Sequence, residues 1–175
     1  MSEEAEYSSR IDHLFEAVNI YDGVPDFFES IKNVPRPILL LYAAHFCLSE
    51  VHNGGFLQLF MNSTGVLVPE AVEGYHALQM PELAGVFAAA AACLGSPYPR
   101  DRDERWDALL LASGRTEEEL TAIFEAAKHQ FLAYREATAK LPLDSLDRQA
   151  WELAESENGG FQKRAIAYEA TLDVS

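Results

Sequence analysis

Hydrophobic residues recur along most of the chain at spacings of three and four, which is typical of helices with one apolar face. One stretch differs, because Ile38 to Leu48 is apolar at every position except His45. Pro37 suits the first turn of a helix, where an N–H has no intrahelical partner. A helix that is apolar nearly all round must be covered on most sides. The pattern therefore predicts a buried central helix, too short to span a bilayer, which takes about 20 apolar residues.

The central helix is interrupted by Asn53-Gly54-Gly55 and resumes at once with Phe56. Asn and Gly enter left-handed backbone conformations at low cost, which lets a helix stop abruptly. We therefore expect a tight corner between two helices. Gly54 or Gly55 should have a positive φ, and Phe56 should be buried in the core.

The remaining segments also have helical periodicity. A first helix is predicted after Ser9, with Ile11, Leu14, Phe15 and Val18 inward, and a second has Phe27, Phe28 and Ile31 inward. Others are predicted from Pro69, from Glu82 to Leu94, near Trp106, from Asp144 to Glu157 and from Phe161 to Leu172. No stretch alternates like a strand. The sequence predicts an all-α, compact single-domain multi-helix bundle around a buried central helix, covering residues 1–175, with residues 1–8 as a flexible acidic tail.

The longest predicted helix begins with a capping box at Thr116 and Glu119 and continues to about Leu141. It carries a heptad-like apolar stripe of Leu120, Phe124, Ala127, Phe131, Tyr134, Thr138 and Leu141. Such a stripe packs either within one chain or against a second copy. A homodimer seam is thus possible here, and equally on the helix from Phe161 to Leu172.

Composition indicates a packed protein with basic partners. Hydrophobic residues make up 49% of 175, enough for a sizeable core. With 28 acidic and 13 basic residues the net charge is −15, which repels nucleic acid and anionic membranes and attracts basic proteins. We expect Cys47 and Cys93 to be buried free thiols. The acidic N-terminus lacks the apolar segment of a signal peptide, so we expect a cytoplasmic location.

The corner carries a specific motif, Glu50-x-x-Asn53-Gly54-Gly55-Phe56-x-Gln58-x-Phe60-x-Asn62. It resembles the signature of a bacterial family named for a DNA-mimic protein, and the resemblance continues through Pro69–Leu94 and the region of Pro99 and Arg105. It implies an all-helical fold and a dimer that presents carboxylates to a DNA-binding protein. Glu155-x-x-Asn158-Gly159-Gly160-Phe161 repeats part of the motif, but its flanks share little with those of the first copy. Coincidence or reuse of a helix corner explains this better than duplication.

Rows of acids on helices can approximate part of a phosphate track, because neighbours at i,i+3 and i,i+4 lie about 5–6 Å apart. A first group, Asp101, Asp103, Glu104 and Asp107, is diluted by Arg100, Arg102 and Arg105. We favour two other groups as partner-binding candidates: Glu117, Glu118 and Glu119, and Asp144, Asp147, Glu152, Glu155 and Glu157.

Catalytic patterns are weak. His45 and His52 are seven residues apart, about 10 Å along a helix, and do not have the HExxH spacing of a metal site. A structural role for Glu50 is favoured, with its carboxylate accepting hydrogen bonds from N–H groups of the corner. Asn53, Gln58 and Asn62 would tie down corner backbone in the same way. The sequence predicts no catalytic residue, no metal and no cofactor.

We interpret the chain as an acidic, non-enzymatic protein that binds a basic, transcription-factor-like DNA-binding protein as a DNA mimic. It would bind neither nucleic acid nor membranes directly. Two alternatives stay open at this point: an immunity-type inhibitor of a basic toxin, and an enzyme that uses Glu50 and His52.

Overall fold

The computed structural model describes residues 11–172, in which all regular structure is helical. This confirms the all-α prediction. The α-helices of this part of the chain are α1 (Leu14–Ala17), α2 (Val24–Ile31), α3 (Arg36–Met61), α4 (Val68–Ala77), α5 (Pro81–Ala92), α6 (Arg102–Ala112), α7 (Glu117–Ala126), α8 (Gln130–Ala137), α9 (Leu143–Ser156) and α10 (Phe161–Leu172). Short 3₁₀ turns cover Ser63–Leu67 and Glu157–Gly159. The predicted acidic tail and the Ser9 cap lie outside the described residues.

Helix α3 is the buried centre of the bundle, as its apolar run predicts. Fifteen of its residues are buried, and α4 and α9 pack along it. The contact with α4 depends on Gly74, where a Cβ atom would lie 2.5 Å from the Leu40 carbonyl oxygen. One residue on, the Tyr75 hydroxyl donates to the Ala44 carbonyl at 2.9 Å. The close approach of two helix backbones therefore fixes the centre of the fold.

The C-terminal end of α3 is capped by side chains from α6. Arg105 is 1% exposed, and its guanidinium donates to the carbonyls of Phe60 (2.8 Å), Asn62 (2.7 Å) and Arg100. Trp106 Nε1 donates to the Met61 carbonyl at 3.1 Å. The last carbonyls of a helix lack intrahelical partners, so these bonds satisfy groups that would otherwise be buried unpaired. They hold the charged segment after Pro99 against the C-terminal end of α3.

A second buried charge, that of Glu70, pairs with an arginine of the same charged segment. Glu70 is 3% exposed, and its carboxylate receives two hydrogen bonds from Arg100, at 2.8 and 2.9 Å. Arg36 lies 3.6 Å from the same carboxylate. A bidentate, charge-assisted pair of this kind is the geometry that makes a buried carboxylate tolerable.

The predicted helix from Thr116 to Leu141 is wrong as a single element. Helix α7 ends at Ala126, the next three residues form a break that includes extended backbone at Ala127 and His129, and α8 begins at Gln130. The chain folds back so that Phe124 meets Tyr134 edge to face at 5.4 Å. This reversal buries Ala133, Tyr134 and Ala137 against the body of the protein. No glycine or proline marks the break, and the apolar stripe is not one continuous seam.

Three predicted burial positions are also wrong. Phe15 is 56% exposed and Phe28 is 46% exposed, while Ile11, Leu14, Val18 and Phe27 are buried as expected. Phe15 instead lies with its ring edge against Phe46, at 4.4 Å between ring centroids. Cys47 and Cys93 are free, but Cys93 is only partly buried because it follows the last residue of α5.

Among the helices of residues 11–172, none combines the length and the hydropathy that a membrane span requires.

Candidate functional site

The corner inside α3 is formed by its two glycines. Gly54 has φ −161° and ψ 22°, and Gly55 has φ 75° and ψ −177°, so Gly55 takes the left-handed value that the motif predicts for one of the pair. Phe56 is fully buried, with its ring 4.8 Å from Phe87 edge to face. Both sequence expectations for the corner, a positive φ and a buried phenylalanine, are therefore confirmed.

The restart of helix after the corner is held by a carboxylate from α9. The Phe56 N–H donates to Asp147 Oδ1 at 2.7 Å, across 91 positions of sequence. The same carboxylate occupies the space beside Gly55, where a Cβ atom would collide with both of its oxygens. A carboxylate at the N-terminus of a helix satisfies a free N–H and opposes the positive end of the helix dipole. The position of the Asp147 carboxylate thus requires glycine at residue 55.

The surroundings of Asp147 disfavour the ionised form of its carboxyl. The residue is half-buried, and burial raises the pKa of its carboxyl above the ordinary 3.8, although the Phe56 N–H acts in the opposite direction. Asp144 adds a like charge that raises the pKa further. The ionised form is therefore under-compensated in this position.

Glu50 has a different role from the one the sequence indicates. Its carboxylate accepts hydrogen bonds from the side chains of Gln58 (2.8 Å), Asn62 (3.0 Å) and Thr64 (3.0 Å). The expectation that Glu50 receives corner N–H groups is wrong, because Asp147 takes the Phe56 N–H. The expectation that Asn53, Gln58 and Asn62 bond corner backbone is wrong too. The amides of Gln58 and Asn62 donate to Glu50, and within residues 11–172 the Asn53 side chain makes no bond to corner backbone. Glu50 instead connects the two halves of the kinked helix through side chains.

Glu50 and His52 are not brought together. They are two positions apart on a helix, which places their side chains on nearly opposite sides. The His52 ring stacks on Trp151 of α9 at 4.1 Å between centroids, while Glu50 faces Gln58 and Thr64. Burial lowers the pKa of His52, although Glu155 acts to raise it. A paired acid–base role for Glu50 and His52 has no geometric support.

Two cavities flank the corner on either side of Asn53. One, of about 450 Å³, lies between the corner, α8 and α9 and is lined by Gly54, Phe131, Arg135 and Asp147 among others. The second, of about 430 Å³, lies between α3 and the start of α10 and includes His45 and His52. Within residues 11–172 no group of three or more His, Cys, Asp or Glu side chains is arranged to hold a metal ion.

The acidic candidates fall into two kinds. Exposed carboxylates occur at Glu117, Glu118 and Glu119 in the first turn of α7 and at Asp144, Glu152 and Glu155 on α9. Glu119 also closes the predicted capping box, and the N–H of Thr116 lowers the pKa of its carboxyl.

Asp147 and Glu157 are half-buried and bonded to backbone. Glu157 receives the N–H groups of Glu82 (2.8 Å) and Leu83 (2.9 Å) and so caps α5. Two of the five α9-region candidates therefore serve the fold directly.

The second copy of the motif also forms a corner, with a different backbone. Asn158, Gly159 and Gly160 have φ values of 51°, 93° and 90°, whereas only Gly55 is positive in the first corner. Phe161 is buried, as Phe56 is. The Asn158 amide donates to the Gln79 carbonyl at 2.6 Å, and Arg164 donates to that of Leu78 at 2.8 Å. This corner fixes the end of α9 to the loop between α4 and α5.

Sequence reasoning missed the roles of Asp147, Arg105 and Trp151 in this region. A helical acid that caps another helix far along the chain has no local signal. The burial of Arg105 within a run of charges is equally invisible, apart from Pro99 and Trp106, which mark an anchored segment. The stacking of Trp151 on His52 could not be inferred from either residue.

Comparison with known families identifies the chain. A sequence model described as DMP19-like protein matches residues 32–170, which include the corner, both buried arginine networks and α9. The chain therefore belongs to the DMP19-like protein family. Comparisons with curated proteins and with solved structures gave no match.

The corner generates a prediction about Gly55 with Gly114 as its matched control. Gly114 also has a positive φ, 63°, but a Cβ atom there would meet nothing within 4 Å. Gly114→Ala should cost about 1–2 kcal/mol of unfolding free energy from backbone strain alone. Gly55→Ala should cost at least about 1 kcal/mol more, because the new methyl displaces the Asp147 carboxylate. Its φ of 75° with ψ of −177° is also a backbone region that is essentially restricted to glycine, which adds to the cost. Urea denaturation of both variants checks this, and equal costs would show that the carboxylate does not constrain the corner.

The raised pKa of Asp147 generates a prediction about pH. Asp147→Asn keeps an acceptor for the Phe56 N–H and removes the desolvated charge, whereas Asp147→Ala removes the acceptor and should cost about 1–3 kcal/mol. A carboxyl whose pKa is raised by folding stabilises most when protonated, and that contribution disappears as pH rises through the folded pKa. The Asn variant should therefore gain stability relative to the wild type as pH rises from below 3.8 towards neutrality.

Thermal melts of the three proteins across this pH range measure the effect. A difference between Asn and wild type that does not change with pH would contradict the assigned burial of the charge. So would an Asn variant as unstable as Ala at neutral pH.

Proposed function

We propose that this protein is a non-enzymatic DNA mimic, which uses carboxylates on the exposed face of α9 to bind a basic, DNA-binding protein partner. Membership of the DMP19-like family supports a mimic role. The observation that carries the proposal is that the acids of α9 have two different roles. Asp147 accepts a hydrogen bond from the corner, whereas Asp144, Glu152 and Glu155 are exposed to solvent.

The spacing of these acids suits a partner that reads phosphates. Asp144 and Glu155 are eleven residues apart, about three turns, so both lie on one side of α9 at about 16 Å from each other. Glu152 and Glu155 are neighbours at i,i+3. DNA places a phosphate about every 3.4 Å along each strand. The row formed by Asp144, Glu152 and Glu155, here called the acidic strip, therefore spans about five phosphate steps. Arg148 is exposed on the same helix and reduces the negative potential in the middle of the strip.

Rigidity favours α9 over α7 as the binding surface. Helix α9 buries Leu143, Leu146, Ala150 and Ala154, and its two ends are fixed by Asp147 and Glu157. Helix α7 has no buried residue. A surface that is already ordered loses less conformational entropy when it binds. The acids Glu117, Glu118 and Glu119 are therefore proposed as a secondary contact only.

The distribution of positive charge further supports an acidic binding surface. Several arginines are turned inward: Arg105 and Arg164 bond backbone carbonyls, and Arg100 pairs with Glu70. In the part of the chain that the structure describes, no Lys, Arg or His lies within 4.0 Å of the carboxylates of Asp144, Glu152 or Glu155. Those three carboxylates remain open to the charges of a partner.

An immunity-type inhibitor of a basic toxin would use the same kind of surface. The two functions differ in the partner, which binds DNA in one and is a toxin in the other. The geometry of the corner does not favour the third possibility, an enzyme using Glu50 and His52, because those side chains point apart.

The experiment is affinity capture of partners from a cell lysate, with charge-neutral variants. We expect the wild type to retain a DNA-binding protein at low salt and to release it at high salt or with added duplex DNA. Asp144→Asn combined with Glu152→Gln and Glu155→Gln should lose this protein, because three carboxylates leave the contact while the buried side of α9 is unchanged.

The matched control neutralises three exposed acids of α6: Asp103→Asn, Glu104→Gln and Asp107→Asn. It changes the net charge by the same +3 in a segment already diluted by Arg102. We expect it to retain the partner. Equal loss of the partner in both variants would show that capture depends on net charge alone. Capture that neither salt nor DNA disturbs would contradict mimicry.

A further inference from the structure

The cavity of about 450 Å³ beside the corner has a lining of mixed character. One wall is the corner itself, with Asn53, Gly54 and Gln58, and the facing wall is α8 with the segment that follows it. Asp144 and Asp147 project from the first turns of α9. The cavity therefore opens next to the N-terminal end of the acidic strip.

The charges in this lining do not balance. Glu136, Asp144 and Asp147 contribute three carboxylates, and the lining holds the single guanidinium of Arg135. Glu136 also lies 3.9 Å from Arg115, outside the lining, so the excess negative charge belongs to the two aspartates. Among residues 11–172, no basic side chain lies within 4.0 Å of either aspartate carboxylate. Asp147 is half-buried and accepts from the Phe56 N–H at Oδ1, and no other donor within residues 11–172 bonds its carboxylate. A partly desolvated carboxylate whose second oxygen has no donor among these residues is stabilised most by a cation that donates hydrogen bonds.

The rest of the lining is apolar. Leu57, Phe131, Leu141 and Leu143 face the same space. A small inorganic cation would gain nothing from contact with these apolar side chains, whereas the methylene stem of a basic side chain packs well on them. The Phe131 ring adds a flat surface on which a guanidinium can stack.

We propose that this cavity is a binding site for the side chain of an arginine, inserted by the basic partner. Asp147 Oδ2 and the Asp144 carboxylate accept from the guanidinium, and the apolar walls hold the methylene stem. Arginine fits better than lysine, because its planar group is less strongly hydrated and offers five donors to two carboxylates and the neighbouring amides. That the arginine belongs to a DNA-binding partner rests on the proposed function. The chemistry of the site can be tested without that partner.

The site also gives Asp147 a reason to be ionised. Asparagine would also offer an acceptor to the Phe56 N–H, and it would avoid the charge whose pKa burial raises. An inserted guanidinium removes that disadvantage in the complex. Pairing with Asp147 would also tie partner binding to the fixed geometry of the corner.

The test is a titration of the isotope-labelled protein with N-acetyl-arginine amide, followed by NMR. N-acetyl-citrulline amide, which has the same shape without the charge, and N-acetyl-lysine amide serve as comparison ligands. We expect the arginine compound to shift the amide signals of Gly54 and Phe56 saturably, and to do so more tightly than the other two. Asp147→Asn should weaken its binding by about tenfold or more, because a charge-assisted contact becomes neutral.

Asp101→Asn is the matched control. Asp101 is also a partly buried aspartate that caps a helix through backbone N–H groups, those of Asp103 and Glu104, but it lies outside this cavity. We expect this variant to bind the arginine compound as the wild type does. Equal weakening by both variants would overturn the site, as would equal binding of citrulline. Tighter binding of the lysine compound would overturn its assignment to arginine.

The two proposals can fail separately. If the arginine compound binds through Asp147 but no DNA-binding protein is captured, the site stands and the mimic function falls. If a DNA-competed partner is captured with wild-type affinity by Asp147→Asn and the arginine compound does not bind, mimicry stands and the site falls.

Discussion

The hydrogen bond between the Phe56 N–H and the Asp147 carboxylate joins the two parts of the chain on which the rest of the structure depends. On one side it secures the corner of the buried central helix, and on the other it fixes the first turns of α9. Gly55 makes the bond possible, because any side chain there would occupy the position of the carboxylate. The interaction thus couples the core to the surface that we assign to partner binding.

Around this bond, the charges of the protein are sorted by sign. Arginines cap carbonyls and neutralise Glu70 in the interior, where the planar guanidinium can satisfy several acceptors at once. Exposed positions of α9 carry Asp144, Glu152 and Glu155. A net charge of −15 alone would be compatible with many acidic proteins. Its placement on an anchored helix, beside a cavity lined by Asp144 and Asp147, is what favours a basic protein as ligand.

The parts predicted well from sequence were those with a local cause. The apolar run from Ile38 to Leu48 predicted the central helix. Asn53-Gly54-Gly55 predicted the corner, because access to left-handed backbone depends on residue type. The break after Ala126 could not be predicted because no glycine or proline marks it. The role of Asp147 could not be predicted because its partner lies 91 positions away along the chain. Glu50 was correctly singled out as a hydrogen-bond acceptor, but not its partners, because several amides lay within reach. The break also removes one of the two predicted homodimer seams, the Leu120–Leu141 stripe, while the other, on the helix from Phe161 to Leu172, stays a prediction.

The measurement that tests the account most directly is whether the captured partner can hold this protein and its own DNA at the same time. Sedimentation velocity of the three components, with labelled duplex DNA, separates binary from ternary complexes. The account predicts mutually exclusive binding that weakens with salt, because carboxylates and phosphates compete for one basic surface. A stable ternary complex with no salt dependence would contradict it.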